Sequence, residues 1–446
     1  MKKRRIALIA LGVLMLGAGT AAYVATPTVH EGATGEAPEL GRYGSYVVGT
    51  QELEFSLPDR VTFGKVGMAT GATEVETRSL AVRIYYPALE AGNELVRYSH
   101  TMDPPGTEPV TLDFSGRAYE GAAPLQNGEL HPLVVMSHGF NGWSTQFSNL
   151  AEHIASRGYI VASIDHDDMK LEGSADFLHS FAKVLASRSL DQRQVLADIL
   201  DQSRVPSESP FTMIDPERIG LIGYSMGGYG ALATGGGDYD YDSGTFAAVP
   251  SDAMVPVQAA ASEPVPVNAI VAFAPWGGQP DNRVWSAETL GKVDVPVLLV
   301  SGNQDDVSNF DGGVRWIFDS LTGSSRHMLV YREARHNIVG NAFDLPEDVP
   351  FRAAEFVMEP VWRQGRINAI NQHFVAAFLD MTLKGETEKA AYLNVPTVDA
   401  NDSVWEVSTG EQLNGKLAGE EEGEHWRGFQ RRWALGLEFY SKAAGE

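Results

Sequence analysis

The stretch Arg218-Ile219-Gly220-Leu221-Ile222-Gly223-Tyr224-Ser225-Met226-Gly227-Gly228-Tyr229-Gly230-Ala231-Leu232 sets the architecture of this chain. Ile219, Leu221 and Ile222 form the apolar run of a buried strand. A Gly-x-Ser-x-Gly pentad follows, then small residues compatible with a helix. Strand, sharp turn and helix is the context in which a serine hydroxyl is lifted above a sheet edge as a nucleophile. Glycines at 223 and 227 let the neighbouring backbone approach closely. With 46 glycines in 446 residues, about 0.3 such pentads are expected by chance. The pentad alone is weak evidence, and the strand before it supplies the weight.

Working outward, the apolar runs repeat. Leu80 to Pro87 alternates apolar and polar residues and predicts an early strand. Leu133-Val134-Val135-Met136 is continuous and predicts a strand buried on both faces. Helical spacing of Phe147, Leu150, Ala151, Ile154 and Ala155 comes next, closed by Gly158, and then a strand over 159–164. This is a βαβ unit, hence a parallel sheet. Helical periodicity from Phe177 to Leu200 leads into the central strand. Three further strands are expected over 267–273, 295–301 and 328–331, and a helix over 368–383. Residues 88–129 read as loop. Residues 234–266, rich in Gly, Asp, Pro and Ala, read as a lid or a surface insertion. The polar tail 391–446 carries a weak helical signal near 433–440 and reads as an extension packed on the domain or trailing it.

A serine hydroxyl is a poor nucleophile unless a base, an acid that orients the base, and oxyanion donors surround it. The acid and histidine should follow the serine in chain order, each in a loop at a strand's C-terminal end. Asp305, in Ser301-Gly302-Asn303-Gln304-Asp305-Asp306, is the expected acid and Asp306 its rival; whichever does not face the histidine would cap the next turn. His336, in Glu333-Ala334-Arg335-His336-Asn337, is the expected base, while His327 and His373 read as structural. Oxyanion donors are expected from the backbone N–H groups of Phe140 and Met226. His138 reads as a packing or hydrogen-bonding residue, and His166-Asp167-Asp168 is weak as a metal motif. No cofactor or metal is expected.

The formal net charge of −24 makes nucleic acid and anionic lipid poor partners and favours solubility. The absence of cysteine excludes disulfides and thiolate metal sites. Lys2-Lys3-Arg4-Arg5 followed by an apolar stretch from Ile6 to about Val24 predicts export. Residues 1–25 serve either as a cleaved signal peptide, the preferred reading, or as an N-terminal anchor, the one route to a membrane. Residues 26–50 read as a linker and 51–390 as the catalytic domain. Oligomeric state stays open.

Taken together, Val82-Arg83-Ile84-Tyr85-Tyr86-Pro87, residues 131–168, residues 215–232 and the post-strand acid and histidine make this chain resemble an α/β-hydrolase of the dienelactone hydrolase and platelet-activating-factor acetylhydrolase type. The resemblance covers roughly 79–385 and implies a mostly parallel central sheet with helices on both faces. It departs from the acetylhydrolases at Phe273-Ala274-Pro275-Trp276, which lacks the carboxylate found there, so the acid moves one strand on, to Asp305. Ala-Pro-Trp there, with Met226 after the serine, is also similar to bacterial cutinases and polyester hydrolases. That similarity implies a substrate-bordering role for Trp276, with Tyr224 beside the nucleophile. The expected activity is carboxylic-ester hydrolysis through an acyl-enzyme on a small or polymeric ester. Polyester hydrolysis, peptide or amide hydrolysis, and non-catalytic binding on the same fold are the alternatives.

Overall fold

The apolar runs around Ser225 become the middle of one eleven-stranded sheet. The computed structural model describes residues 37–103, 108–168, 171, 173–404, 425–430 and 432–446. The expected export segment, 1–25, lies outside them. In chain order the strands are β1 (Val48–Thr62), β2 (Glu74–Pro87), β3 (Leu95–Met102), β4 (Val110–Glu120), β5 (His131–Ser137), β6 (Ile160–Ile164), β7 (Ile214–Tyr224), β8 (Ala269–Phe273), β9 (Val297–Gly302), β10 (Arg326–Tyr331) and β11 (Leu437–Lys442). They lie side by side as β11-β10-β9-β8-β7-β5-β6-β2-β1-β4-β3. The six strands from β10 to β6 in that order are mutually parallel, and antiparallel strands flank them on both sides.

Alternation along the parallel strands divides the core in two. On one face Leu133, Val135, Ile160 and Ala162 pack with α2 (Ser174–Ser203), α3 (Met226–Thr234) and α4 (Ser251–Ala261). On the other, Val134, Met136 and Val161 pack with α1 (Ser148–Ser156) and α6 (Gln364–Leu383). Each fully buried Val, Leu or Ile side chain contributes about 1.5–3 kcal/mol. A short helix, α5 (Phe351–Val357), lies between β10 and α6 in the chain.

Three expectations are corrected. Residues 88–129, read as loop, contain β3 and β4. Their exposure alternates, as in Leu95 out, Val96 in, Arg97 out, Tyr98 in, because they form the outer, half-solvated end of the sheet. The tail does not turn helical near 433–440: β11 pairs antiparallel with β10, with Leu437 and Phe439 buried. Residues 234–266 contain α4, whose Ala253, Met254 and Val257 are buried in the core beside α2. None of these residues lines the cavity that holds Ser225.

Candidate active site

Ser225 stands between β7 and α3 with φ 52° and ψ −112°, a conformation a non-glycine residue adopts only when its surroundings impose it. Those surroundings are visible. Its N–H donates to the Phe273 carbonyl (2.9 Å), and its own carbonyl accepts from Trp276 N–H (3.2 Å) and Tyr229 N–H (3.0 Å). Space is equally tight. A β-carbon on Gly227 would lie 2.0 Å from the Ser137 carbonyl oxygen, and one on Gly223 2.2 Å from that of Gly227. Both pentad glycines are therefore demanded by backbone contact.

Asp305 follows β9 and is buried. Its Oδ2 sits 2.9 Å from His336 Nδ1, and its Oδ1 accepts the N–H groups of Val307 and Ser308, each at 2.9 Å. One carboxylate thus faces the histidine and caps the turn as well. Asp306 does neither; it pairs with Arg335 at the surface, both side chains about half exposed. A histidine whose Nδ1 donates to a carboxylate presents Nε2 as a proton acceptor. The Tyr224 ring lies 5.1 Å from the His336 imidazole, and its hydroxyl donates to Asn337 Oδ1 (3.1 Å). Burial raises the Tyr224 pKa far above its ordinary value, so the phenol stays neutral.

Ser225, His336, Tyr224, Gly139 and Phe140 line one cavity of about 660 Å³. Phe140 lies in the turn after β5. Among the described residues no acceptor pairs with its N–H. Met226 is the first residue of α3, so its N–H has no carbonyl partner inside the helix. His138 accounts for part of this turn: Nδ1 lies 2.6 Å from the Gly139 carbonyl, and Nε2 accepts His166 N–H at 2.9 Å. A carbonyl only accepts, so the proton is on Nδ1. Burial and the nearby Arg188 lower the His138 pKa, which keeps that neutral form. In the trans Gly139–Phe140 peptide, fixing the carbonyl fixes the opposite direction of Phe140 N–H.

Trp276 is not among the residues lining the cavity. Its side chain is buried, with ring centroids 5.0 Å from Phe181 and 6.2 Å from Tyr229. It supports the elbow through its backbone N–H and reaches Phe140 only through Phe181. Trp276→Ala is expected to destabilise the fold by about 3–5 kcal/mol while changing the ratio of kcat/KM for aromatic over acetate esters less than about twofold. A melting curve and two initial-rate series check both.

The opposite wall was not legible in the sequence. Phe351 and Phe356 of α5, with Met358, line the cavity; Phe351 and Met358 remain strongly exposed and Phe356 less so. Asn337 Nδ2 donates to the carbonyls of Glu355 (2.7 Å) and Met358 (2.9 Å), and buried Glu359 accepts Arg335 N–H (3.2 Å). These contacts fasten the wall to the loop that carries His336. The signal available was Asn337 next to the histidine, with apolar residues five apart at 351 and 356.

An eleven-stranded sheet with a parallel centre, helices on both faces and a serine elbow after its central strand settles the class. The chain has the α/β-hydrolase fold. Residues 114–183 match the family described as "Platelet-activating factor acetylhydrolase, isoform II". That segment holds the Phe140 turn and His166 to Asp168, but not Ser225, Asp305 or His336. Among known proteins, a platelet-activating factor acetylhydrolase of Canis lupus familiaris is 27% identical over 172 residues, 34% of each chain. That of Bos taurus is 24% identical over 249 residues, 43% of this chain and 50% of the relative. The chain therefore spans a third to a half of the length of these relatives. A ferulic acid esterase from Streptomyces cinnamoneus superposes with a TM-score of 0.50 at 22% identity, covering 76% of this chain and 91% of its own, a likeness of fold.

Proposed function

We propose that this α/β-hydrolase is a serine carboxylic-ester hydrolase. The observation that carries the reading is the 2.9 Å Asp305–His336 contact beside a serine held at positive φ in the same cavity. In this reading His336 Nε2 takes the Ser225 proton as Oγ attacks the ester carbonyl. Asp305 orients the imidazole and stabilises its cationic form. The N–H groups of Phe140 and Met226 receive the developing oxyanion. The alcohol leaves with the proton from His336, and water then attacks the acyl-enzyme and releases the acid and Ser225.

The apolar wall of Phe351, Phe356 and Met358 suits an ester with a sizeable apolar part, since pockets of this volume take drug-sized ligands. The relatives named for acetyl hydrolysis make short acyl groups the first to test. A panel of nitrophenyl esters from acetate to octanoate, with a soluble polyester alongside, is expected to give turnover on at least the short acyl esters. A folded, purified chain inert towards every ester would overturn the reading.

Export remains a proposal resting on Lys2 to Arg5 and the apolar stretch behind them. Among the described residues no helix is long and apolar enough to cross a membrane. Recovery of the protein solely from cytoplasm would oppose export.

A further inference from the structure

Behind the Phe140 turn lies a polar cluster that the proposed reaction does not use. Ser137 Oγ sits 2.5 Å from His166 Nε2, and His166 Nδ1 sits 3.0 Å from Asp191 Oδ2. This is a serine, histidine and aspartate in hydrogen-bonded sequence, the order of a catalytic relay. Yet Ser137, His166 and Asp191 are wholly buried, and Asp191 is also held by Arg60 (2.8 Å) and Arg78 (3.2 Å). No substrate reaches Ser137, so the chain of bonds holds the end of β5 in place.

Beside it, a second pair touches the turn directly. Asp168 Oδ2 accepts Asn141 N–H at 2.9 Å and Arg188 Nη2 at 2.8 Å, both side chains almost fully buried. Arg188 comes from α2 and fills the space over Gly230 of α3, where a β-carbon would lie 2.7 Å from its Cγ. The carboxylate therefore bridges the turn to the helix packed on the nucleophile's own helix. Asn141 has φ 54°, the left-handed conformation that asparagine adopts more readily than most residues with a side chain, and Asp168 holds its N–H there.

A buried ion pair is weak evidence for stability, since well-packed apolar groups of similar volume often serve as well. Its position is the more informative property. Phe140 is flanked by two peptide planes. The Gly139–Phe140 plane is tied by His138, and the Phe140–Asn141 plane by Asp168. With both planes fixed, Phe140 N–H keeps one direction.

We propose that Asp168, carried by Arg188, is a positioning residue that holds the Phe140 amide in place for the oxyanion. It touches neither substrate nor reacting atoms and acts through the Asn141 N–H. The proposal rests on the ester-hydrolase reading above and refines its oxyanion site. Burial by itself would raise the Asp168 pKa, but the Arg188 guanidinium beside it outweighs that and holds the pKa below the ordinary value, so the acceptor is charged at neutral pH.

The test compares two double variants that leave no unpaired buried charge. Asp168→Ala/Arg188→Met loses the acceptor for Asn141; Asp168→Asn/Arg188→Met keeps a carbonyl oxygen there. Rates are expressed per active site titrated with a phosphonate ester. An oxyanion contact strengthens in the transition state, so the alanine pair is expected to lose about 10- to 100-fold in kcat with KM within about threefold. The asparagine pair should recover most of that loss. Should the alanine pair not fold, Asp168→Glu decides: it keeps the ion pair but displaces the acceptor by a methylene, and kcat should again fall at least about tenfold. Equal kcat in the two double variants, a loss confined to KM or to the titrated fraction, or an unchanged kcat in folded Asp168→Glu overturns the positioning role. A wild-type chain without esterase activity overturns the reaction itself, a different result from an active wild type with indifferent variants.

Discussion

Ser225→Ala is expected to lower ester hydrolysis by about 10⁵- to 10⁶-fold, the scale of losing a nucleophile that acts as a unit with its base. The protein should stay folded. Alanine meets the same constraints at φ 52° and ψ −112° as serine, and the bonds holding the elbow are backbone bonds to Phe273, Trp276 and Tyr229. The residual rate should stay above that in buffer, because Phe140 and Met226 N–H groups and the cavity remain, and such remnants give about 10³- to 10⁴-fold over water. A melting curve matching wild type, with that rate on nitrophenyl acetate, is the expected pair of measurements. Undiminished turnover by a folded variant would remove Ser225 from the mechanism.

The route to Ser225 was legible because parallel central strands are buried on both faces. Leu133 to Met136, Ile219 to Ile222 and Val297 to Val300 therefore read as unbroken apolar runs. Once those strands are placed, the loops at their C-terminal ends are placed too, and Ser225, Asp305 and His336 fall out by position. The outer strands obey a different rule. β3 shows a polar face to solvent, so its sequence alternates Arg97, Ser99 and Thr101 with Val96, Tyr98 and Met102 and gives no run to detect. β11 is short and draws its pairing from β10, more than 100 residues earlier, which local propensity does not carry. Trp276 was placed at the right sheet edge, but its loop position did not reveal that the ring packs on Phe181 and Tyr229 and stays out of the cavity. Asp168 was visible only as one acid of a weak metal motif. Its contact with Asn141 N–H depends on the β5 turn meeting the loop after β6, a tertiary event.

The adjacent acids 305 and 306 make the sharpest contrast. In Asp305→Asn the carbonyl oxygen can still accept from Val307 and Ser308, so the turn should hold. The amide nitrogen then faces His336 Nδ1, where the carboxylate had accepted a proton. A donor there moves the imidazole proton to Nε2, the atom that must receive the Ser225 proton, and the cation formed in the reaction loses its counter-charge. The expected loss in kcat is about 10⁴-fold with little change in melting temperature, as for a wrong histidine tautomer. Asp306→Asn removes a solvent-exposed pair with Arg335 at the cavity rim, and exposed ion pairs contribute little. Its kcat should stay within about threefold of wild type, and any change in KM should follow charge on the substrate, because Asp306 lines the mouth without touching His336. Two single variants assayed on one neutral ester measure the contrast directly. The reverse order would transfer the orienting role to Asp306 and require the His336 loop to reorganise on substrate binding. Equal, small losses would mean that the 2.9 Å contact does not orient the base, and Asp165, at the end of β6, would be the next carboxylate to substitute.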